Sequence, residues 1–217
     1  MQEGKAPISF DQAYVEHIQR TVGPVLGVEH EVIPGDPPIS LIFVAPTEVN
    51  RCWSVLTFGA SAYEMPSTAD AGIQAPNRAE YMICLPLDWT DEDEHGMPQL
   101  NTPEKIYPIA ALKRVARAAQ ALNTRFDLGA TVLDVNYPDP IDSSSTVSGF
   151  ALAWLPDSAE ALEFSAPDGT PVALFTLLGL TAPELEFAHD HGLQALAPKL
   201  DAASVGHIFE ANRKSVV

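Results

Sequence analysis

Residues 170–200 contain an apolar run that leads directly into a helix start, and this pattern limits the possible folds more than any other feature. Residues 171–180 are almost uninterruptedly apolar, as in a strand covered on both faces. Thr181 and Glu184 have the spacing of a capping box, in which each side chain accepts a hydrogen bond from the other residue's amide. Pro183 stands in the first turn, where a missing N–H costs nothing. The segment predicts a buried strand, a tight turn and a capped helix.

The rest of the chain alternates between strand and helix patterns. A first helix is predicted from a capping box formed by Ser9 and Gln12, and a second helix contains Pro108. Apolar residues on one face of the first helix are Phe10, Tyr14, Ile18 and Val22. Further strands are predicted at residues 28–33, 39–44, 51–58, 81–87, 130–135, 147–155 and 204–210.

This order of elements predicts an α+β fold. The first three strands are separated by Pro-containing turns at 34–38 and 46–50, which favours an antiparallel meander. Later strands alternate with helices, so the expected sheet is mixed and largely antiparallel, with helices packed against it. Neither a linker nor a repeat is evident, and we expect a single domain over residues 1–217.

An excess of acidic residues indicates the kind of partner to expect. The 12 Lys and Arg against 29 Asp and Glu give a net charge of −17, which disfavours binding to nucleic acid. Basic residues gather near one helix, at Lys113, Arg114, Arg117 and Arg125, opposite an apolar stripe that includes Leu122. We interpret them as a solvated face. The acidic character suits a basic protein surface as partner.

The cellular compartment is predicted from the amino-terminal residues, the lengths of the apolar runs and the two cysteines. No apolar run reaches the roughly 18 residues that span a bilayer, and residues 1–10 lack the pattern of a signal peptide. We therefore expect a cytoplasmic protein that does not act at a membrane. Cys52 and Cys84 both fall in predicted strands, where a disulfide is geometrically possible, but we interpret them as buried thiols.

Catalytic and metal-binding motifs give little support to an enzyme. The sequence lacks the nucleophile elbow, the phosphate-binding loops and the Cys-x-x-Cys pattern. Glu186, His189 and His191 lie on the last long helix, where two histidines two residues apart diverge and make a poor zinc site. The acidic run at 88–94 does not match a calcium loop. We predict no catalytic residue, no metal and no cofactor.

The loop at residues 137–148 is the strongest candidate for contacting a partner. Prolines stiffen its start, and short polar side chains that follow can cap turns locally or reach a partner backbone. Trp89 is a further candidate, because it closes a strand directly before the acidic loop; Trp53, Phe58 and Trp154 are predicted to be core. The candidate protein-binding residues are Tyr137, Asp142, Ser144, Ser145 and Trp89.

Four sequence blocks, taken in order, resemble the suppressor-of-fused domain family. They are WSVLTFGASAYEM at 53–65, AEYMICLPLDW at 79–89, IYPIAALKRVARAAQ at 106–120 and ANRKSVV at 211–217. The resemblance implies the architecture of the family's amino-terminal domain, with a last strand at the end of the chain. It also implies a protein that binds and does not catalyse.

One loop carries the resemblance further. Pro140, Ile141 and Asp142, with Ser144 or Ser145, resemble the family's Pro-Leu-Asp-x-Ser loop. In eukaryotic members this loop leads into the surface that grips a peptide of a Gli-type transcription factor as an added strand between two domains. We expect the chain to correspond to the amino-terminal half of that architecture alone, so the Gli-type function is not carried over. Single-domain prokaryotic members occur among immunity proteins that neutralise toxins.

The sequence supports three hypotheses of function. The first is a bacterial immunity or antitoxin protein that binds a toxin or another basic protein, by strand addition at a sheet edge or through an acidic face. The second is an enzyme, or a small-ligand or metal-binding protein, that uses Glu186, His189, His191 and the acidic loop. The third is a self-associating structural domain.

Overall fold

The α+β architecture is present in the computed structural model of the chain, which describes residues 10–67, 76–89, 91–93, 96–100, 102–153 and 163–217. The helices are α1 (Phe10–Thr21), α2 (Pro103–Ala121), α3 (Ala182–His191) and α4 (Leu193–Ala202). The strands are β1 (Val25–Glu29), β2 (Ser40–Val44), β3 (Trp53–Phe58), β4 (Ala79–Leu85), β5 (Thr131–Leu133), β6 (Val147–Ala153), β7 (Glu163–Ser165) and β8 (Pro171–Thr181).

Within the described residues, eight strands form one sheet in the order β1-β2-β3-β4-β8-β6-β5, and β7 pairs with β8 beside this path. β1, β2 and β3 form the predicted antiparallel meander, which β4 extends. β8 pairs parallel with β4, where Ala79 lies opposite Ala173, and antiparallel with β6 and β7. The sheet is therefore mixed and largely antiparallel, as predicted.

Both faces of the sheet are covered. Consecutive strand residues point to opposite faces, yet Val55 and Leu56 on β3 are both fully buried. Val55 belongs to the core shared with α2, and Leu56 to the core shared with α1. α3 and α4 cover a third cluster around Ala151 of β6 and Leu180 of β8. This layering explains why the central strands are apolar at almost every position.

A buried carboxylate fixes the turn after β3. Glu80 on β4 is fully buried, and its Oε1 accepts from the amides of Gly59 and Ser61 at 2.9 and 3.0 Å and from Ser61 Oγ at 2.7 Å. Its Oε2 accepts from Thr57 Oγ1 at 2.6 Å. Gly59 has φ +122, and a Cβ there would lie 2.4 Å from Pro38 O. Only glycine fits this Phe-Gly turn.

Two strand predictions are wrong in position. The strand predicted at 28–33 is β1, Val25–Glu29, and Val32 and Ile33 lie in an exposed turn. The strand predicted at 204–210 is reduced to one isolated parallel bridge between Ile208 and Cys84. β7 was not predicted, because its three residues are too few to show a period.

The second predicted helix is confirmed, and the last one is interrupted. α2 begins at Pro103 and contains Pro108, as predicted. The long last helix is divided into α3 and α4 by Gly192, whose φ is +81. The Glu184 half of the predicted capping box is formed, since Thr181 N donates to Glu184 Oε2 at 2.9 Å. Among the described residues, no helix is both long and apolar enough to cross a bilayer.

The predicted core aromatics are partly confirmed. Trp53 is buried, and Phe58 is half-buried and stacks on Tyr14 of α1 with a centroid distance of 5.9 Å. Cys52 and Cys84 are both buried with free thiols, as predicted. Ser9 and Trp154 lie outside the described residues.

Candidate interaction surface

β5 forms one edge of the sheet. In the antiparallel pairing with β6, Leu152 N donates to Ala130 O at 2.8 Å and Asp134 N donates to Ser148 O at 3.1 Å. Because hydrogen-bonding direction alternates along an antiparallel strand, the backbone groups of Thr131 and Leu133 face away from β6. The strand order of the described residues ends at β5, so these donors and acceptors lie on the outside of the sheet.

An apolar groove of about 550 Å³ runs between β5 and α2; we call it the β5 groove. Its buried floor includes Val115, Phe126, Val132 and Phe150. Its rim includes Leu122, which is 67 % exposed, and Val135, which is 79 % exposed. Leu122 was predicted to be buried on α2, and this prediction is wrong because the helix ends at Ala121 and Leu122 caps it. Exposed apolar residues beside an open strand edge are typical of a binding surface.

Gly149 explains how β5 can lie so close to β6. A Cβ at this position would stand 2.7 Å from Val132 O and 3.0 Å from a Leu185 methyl group. Any side chain would therefore push β5 away from the sheet. Directly after the groove residue Leu122, Asn123 has φ 44 and turns the chain out of α2, a conformation that Asn tolerates.

The opposite edge of the sheet is less suited to strand addition. The pairing of β1 with β2 shifts register between Val25 and Gly27, and such bulges blunt an edge. Met97, in the segment between β4 and α2, lies over Gly27, with its Cε 3.4 Å from where a Cβ would be. β5 with its groove is therefore the better candidate.

The basic residues around α2 are paired with carboxylates. Arg114 contacts Asp134 Oδ2 at 2.7 Å, and Arg117 contacts Glu31 Oε2 at 2.7 Å. Lys113 lies 3.3 Å from Glu31 Oε1, and Arg125 lies 2.8 Å from Asp127 Oδ1. These residues are half-buried and do not form the freely solvated face that was predicted. Their ion pairs also leave little positive potential for a phosphate backbone.

Glu31 is the carboxylate most strongly affected by this pairing. Burial acts to raise its pKa, but hydrogen bonds from Arg117 and from the amides of Gly35 and Ile39 outweigh burial and lower the pKa to about 2. The pair joins α2 to the turn between β1 and β2, and its Arg117 also lines the β5 groove.

The loop at 137–148 lies next to β5 along the chain, and its polar residues are mostly used within the fold. Asp142 Oδ1 accepts from the amide of Ser144 at 2.8 Å and from its hydroxyl at 2.6 Å, so the pair forms a local turn. These bonds lower the pKa of Asp142. Ser145 is buried, and its Oγ donates to Ala211 O at 3.0 Å. Tyr137 is half-buried, and its hydroxyl lies 3.5 Å from Glu186 Oε1.

The structure therefore separates the predicted loop residues by role. Ser144 is exposed and accessible to a partner, whereas Ser145 holds the C-terminal segment. A second groove, of about 470 Å³, adjoins the loop and is lined by Pro138 and Pro140 on one side and by Arg213 on the other.

Trp89 lies in an aromatic cluster and not in the loop or the β5 groove. It is half-buried, and its ring makes edge-to-face contacts with Tyr107 and Phe209 at centroid distances of 5.7 and 5.6 Å. Its Nε1 donates to Lys105 O at 3.1 Å, and Lys105 Nζ donates to Trp89 O. These contacts join the end of β4 to α2 and the C-terminal segment.

The residues of the alternative, ligand-binding hypothesis do not converge. Glu186, His189 and His191 are all exposed on α3, and the His191 ring lies 4.6 Å from the ring of Phe187. Asp88, Asp91 and Glu92 of the acidic loop are also exposed. Across the described ranges, the group of side chains close enough to hold a metal is a different one, Cys52, Cys84 and His207.

A buried ion pair that sequence reasoning missed holds the C-terminal segment. Arg213 Nη1 and Nη2 lie 2.6 Å from Glu184 Oε1 and Oε2, and Val216 N donates to Oε1 at 3.0 Å. Arg213 also donates to Gly179 O of β8. Burial acts to raise the pKa of Glu184, but these hydrogen bonds lower it overall. The capping position of Glu184 was predicted, but nothing in its local sequence indicated a partner 29 residues away.

The solved structures with a similar fold include the following three. One is a suppressor-of-fused homologue from Neisseria gonorrhoeae FA 1090, with 20 % identity, a TM-score of 0.66, and 96 % of this chain and 97 % of that chain covered. The second is from the Sufu–Fu complex, with 16 % identity, a TM-score of 0.67, and 98 % and 93 % covered. The third is Drosophila Suppressor of Fused, with 15 % identity, a TM-score of 0.68, 98 % of this chain covered, and 52 % of that chain.

Sequence comparison identifies the family directly. A search of curated protein sequences finds no significant match. The family model for Suppressor of fused protein matches residues 35–214, which include every strand from β2 to β8 and the ion pair between Glu184 and Arg213. The chain belongs to the suppressor of fused family.

Proposed function

We propose that this protein binds a protein partner at β5, and that it acts as an immunity or antitoxin protein that neutralises a basic toxin. The observation that carries the proposal is the open edge of β5 beside the β5 groove. An extended partner segment would add a strand through the backbone groups of Thr131 and Leu133, and would place one apolar side chain beside Leu122.

Charge supports a basic partner. The net charge is −17, and the four basic residues around α2 are already paired with carboxylates. Asp139, which is exposed, lies in the segment that follows β5, whereas Asp127 before β5 is already paired with Arg125. A cationic segment would be attracted to this side of the molecule, which mainly accelerates association.

The family supports a binding role in general terms. A relative in the family has been solved as the Sufu–Fu complex, so a fold of this kind engages another protein there. We extend this to the present chain, with residues 1–217 acting as one domain in the bacterial cytoplasm and without catalysis. The toxin is our inference from the chain's acidity and from the single-domain type that it resembles.

A site-specific crosslinking experiment tests the position of the interface. A photoreactive residue is placed at Leu122 in the β5 groove, and a matched one at Val49, which is 84 % exposed in the turn before β3. After irradiation in the host cell, we expect one protein adduct from position 122 and none of the same mass from position 49. Recovery of the same adduct from both positions would contradict binding in the groove.

A matched pair of variants at one position tests strand addition. Leu133→Pro removes the outward backbone donor without touching the bonds to β6, whereas Leu133→Ala removes the side chain and keeps the donor. We expect the proline variant to lose the adduct formed through position 122 and the alanine variant to retain it. Equal loss in both variants would show that the side chain and not the edge is recognised.

A growth assay tests neutralisation. Toxins encoded beside the gene are expressed with and without this protein, and we expect one of them to be tolerated only in the presence of the wild type. The Leu133→Pro variant should fail to protect, and its thermal unfolding is measured beside that of wild type to show that it is folded. Partner binding at β5 without any protection would leave the interaction standing and reject the immunity role.

A further inference from the structure

Two thiols and an imidazole lie close together at one end of the sheet, near the start of β3 and the end of β4. The Phe-Gly turn that follows β3 lies at the other end. The sulfur atoms of Cys52 and Cys84 and a ring nitrogen of His207 all lie within 4.8 Å of one another. Cys52 directly precedes β3, Cys84 lies in β4, and His207 lies in the segment after α4. None of these residues belongs to the β5 groove or to the loop at 137–148.

The fold brings the three residues together by two separate pairings. Ser54 lies opposite Cys84 in the β3–β4 ladder, and Cys52 is two residues from Ser54, so all three point to the same face. The segment after α4 is held beside Cys84 by the bridge between Cys84 and Ile208 and by a 2.7 Å bond from Phe209 N to Cys84 O. His207 directly precedes Ile208, so the same bridge places it next to the two thiols.

The surroundings are those of a buried but reachable site. Cys52 is 1 % exposed and Cys84 is fully buried, and both belong to the apolar cluster beneath α1. His207 is half-buried, which opens a path from solvent. Ser54 Oγ lies 3.7 Å from Cys52 Sγ and 3.8 Å from Cys84 Sγ, and is a further oxygen in reach of the site.

We propose that Cys52, Cys84 and His207 bind one zinc ion. Two thiolates and an imidazole are a ligand set that zinc prefers. Zinc at about 2.3 Å from sulfur and about 2.1 Å from nitrogen places tetrahedral ligand atoms about 3.5–3.8 Å apart. Because the three ligand atoms lie within 4.8 Å of one another, their separations need to close by about 1.3 Å at most. Ser54 Oγ or water would complete the coordination.

Charge balance also fits. Two thiolates carry two negative charges, which a divalent cation neutralises, so the occupied site is electrically neutral within its apolar surroundings. Zinc bound here would tie the segment after α4 to the centre of the sheet.

The site is tested on the full chain, purified under reducing conditions and stripped with a chelator. Cobalt is added first, because thiolate ligation gives a charge-transfer band that carboxylate or imidazole ligation alone does not give. We expect one Co²⁺ per chain with this band, and its displacement by Zn²⁺. Zn²⁺ should also raise the melting temperature of the wild type, since it binds only the folded chain.

Variants identify the ligands. His207→Ala should weaken Zn²⁺ binding by at least about tenfold, given that even indirect supports of metal sites cost that much, and should abolish the rise in melting temperature. Cys52→Ser should remove most of the charge-transfer band. His189→Ala is the matched control, because His189 is exposed on α3 and should leave both readouts unchanged.

Three results would contradict zinc binding by Cys52, Cys84 and His207. A wild-type protein that shows no charge-transfer band, or a His207→Ala variant that binds Zn²⁺ as tightly as wild type, would overturn it. So would a Cys52–Cys84 disulfide in protein prepared without reductant, if the reduced form of that protein binds no Zn²⁺. His207 is half-buried outside the strands, so its alanine variant folds independently of whether the cysteine variants do.

Discussion

Glu184 and Arg213 form a two-point ion pair, with both N–O distances at 2.6 Å, in which the carboxylate is fully buried and the guanidinium side chain is 6 % exposed. The pair joins the first turn of α3 to the C-terminal segment. A second guanidinium bond to Gly179 O joins the same segment to β8. The last residues of the chain are thus part of the folded core.

Arg213→Ala should be strongly destabilising. The substitution leaves the Glu184 charge buried without its cation, and we expect the free energy of unfolding to fall by about 3–5 kcal/mol. Lys214→Ala is the matched control, because Lys214 is exposed next to Arg213, and it should change stability by less than about 0.5 kcal/mol. Urea denaturation measures both. Equal, small effects would show that the segment is not docked in solution.

Glu31→Gln should destabilise the protein in a pH-dependent way. The pKa of Glu31 is lowered from the ordinary value of 4.5 to about 2, so its carboxylate contributes fully above about pH 4.5, and this contribution falls as the pH drops towards 2. At pH 7 the variant should lose roughly 2–3 kcal/mol. The difference from wild type should shrink steadily between pH 4.5 and 2.

The control for this pH dependence is Glu64→Gln. Glu64 pairs with Arg78 at 3.3 Å but its side chain is 61 % exposed, against 11 % for Glu31. An exposed pair contributes about 0–1 kcal/mol. Denaturation curves at several pH values compare the two variants, and a Glu31→Gln effect that stays constant with pH would rule out ion pairing as its cause.

Gly149→Ala should loosen the β5 edge. Its Cβ would come within 2.7 Å of Val132 O, and we expect a loss of about 1–3 kcal/mol from overpacking. Gly206→Ala is the control, since no atom lies within 4 Å of a Cβ there. Hydrogen exchange at residues 129–135 should accelerate in the first variant only. Unchanged exchange would mean that β6 absorbs the added methyl group.

Trp89→Ala should lower the melting temperature. Trp89 contacts Tyr107 and Phe209, and donates to Lys105 O, so its removal should cost about 2–4 kcal/mol. Leu87→Ala, at an exposed position two residues earlier, should have little effect. If Trp89→Ala instead weakened partner binding with an unchanged melting temperature, Trp89 would be a contact residue, as the sequence first suggested.

Local sequence patterns predicted most of the fold, because α1 buries one face and β8 is buried on both. The apolar stripe on α1 repeats at the helical spacing of about 3.6 residues, and the apolar run of β8 is continuous. Both patterns can be recognised within a short stretch of sequence. The sequence could not show that residues near Ile208 form one isolated bridge and not a full strand. A strand-like pattern of side chains does not specify how many backbone hydrogen bonds are made. The division of the last helix depends on Gly192 adopting a positive φ, which the pattern of apolar residues does not report.

The candidate sites were harder to predict because their parts are distant in the chain. Leu122 fits the helical stripe of α2, and only the helix end at Ala121 turns it outward. Cys52, Cys84 and His207 have no motif spacing, since the β3–β4 register and the bridge to Ile208 bring them together. Conversely, Ser145 matched a family loop but is buried against Ala211. Spacing in the sequence predicts contacts between neighbouring residues far better than contacts between residues that are distant in the chain.

The parallel pairing of β8 with β4 has a consequence for synthesis on the ribosome. Ala79 cannot pair with Ala173 until the intervening chain has been translated. One side of β4 therefore stays unpaired in the nascent chain until β8 has been synthesised. Such non-local pairing slows folding and exposes a flank to wrong partners. Chaperone dependence in the cell should therefore arise from the late arrival of β8, even if the finished protein is very stable.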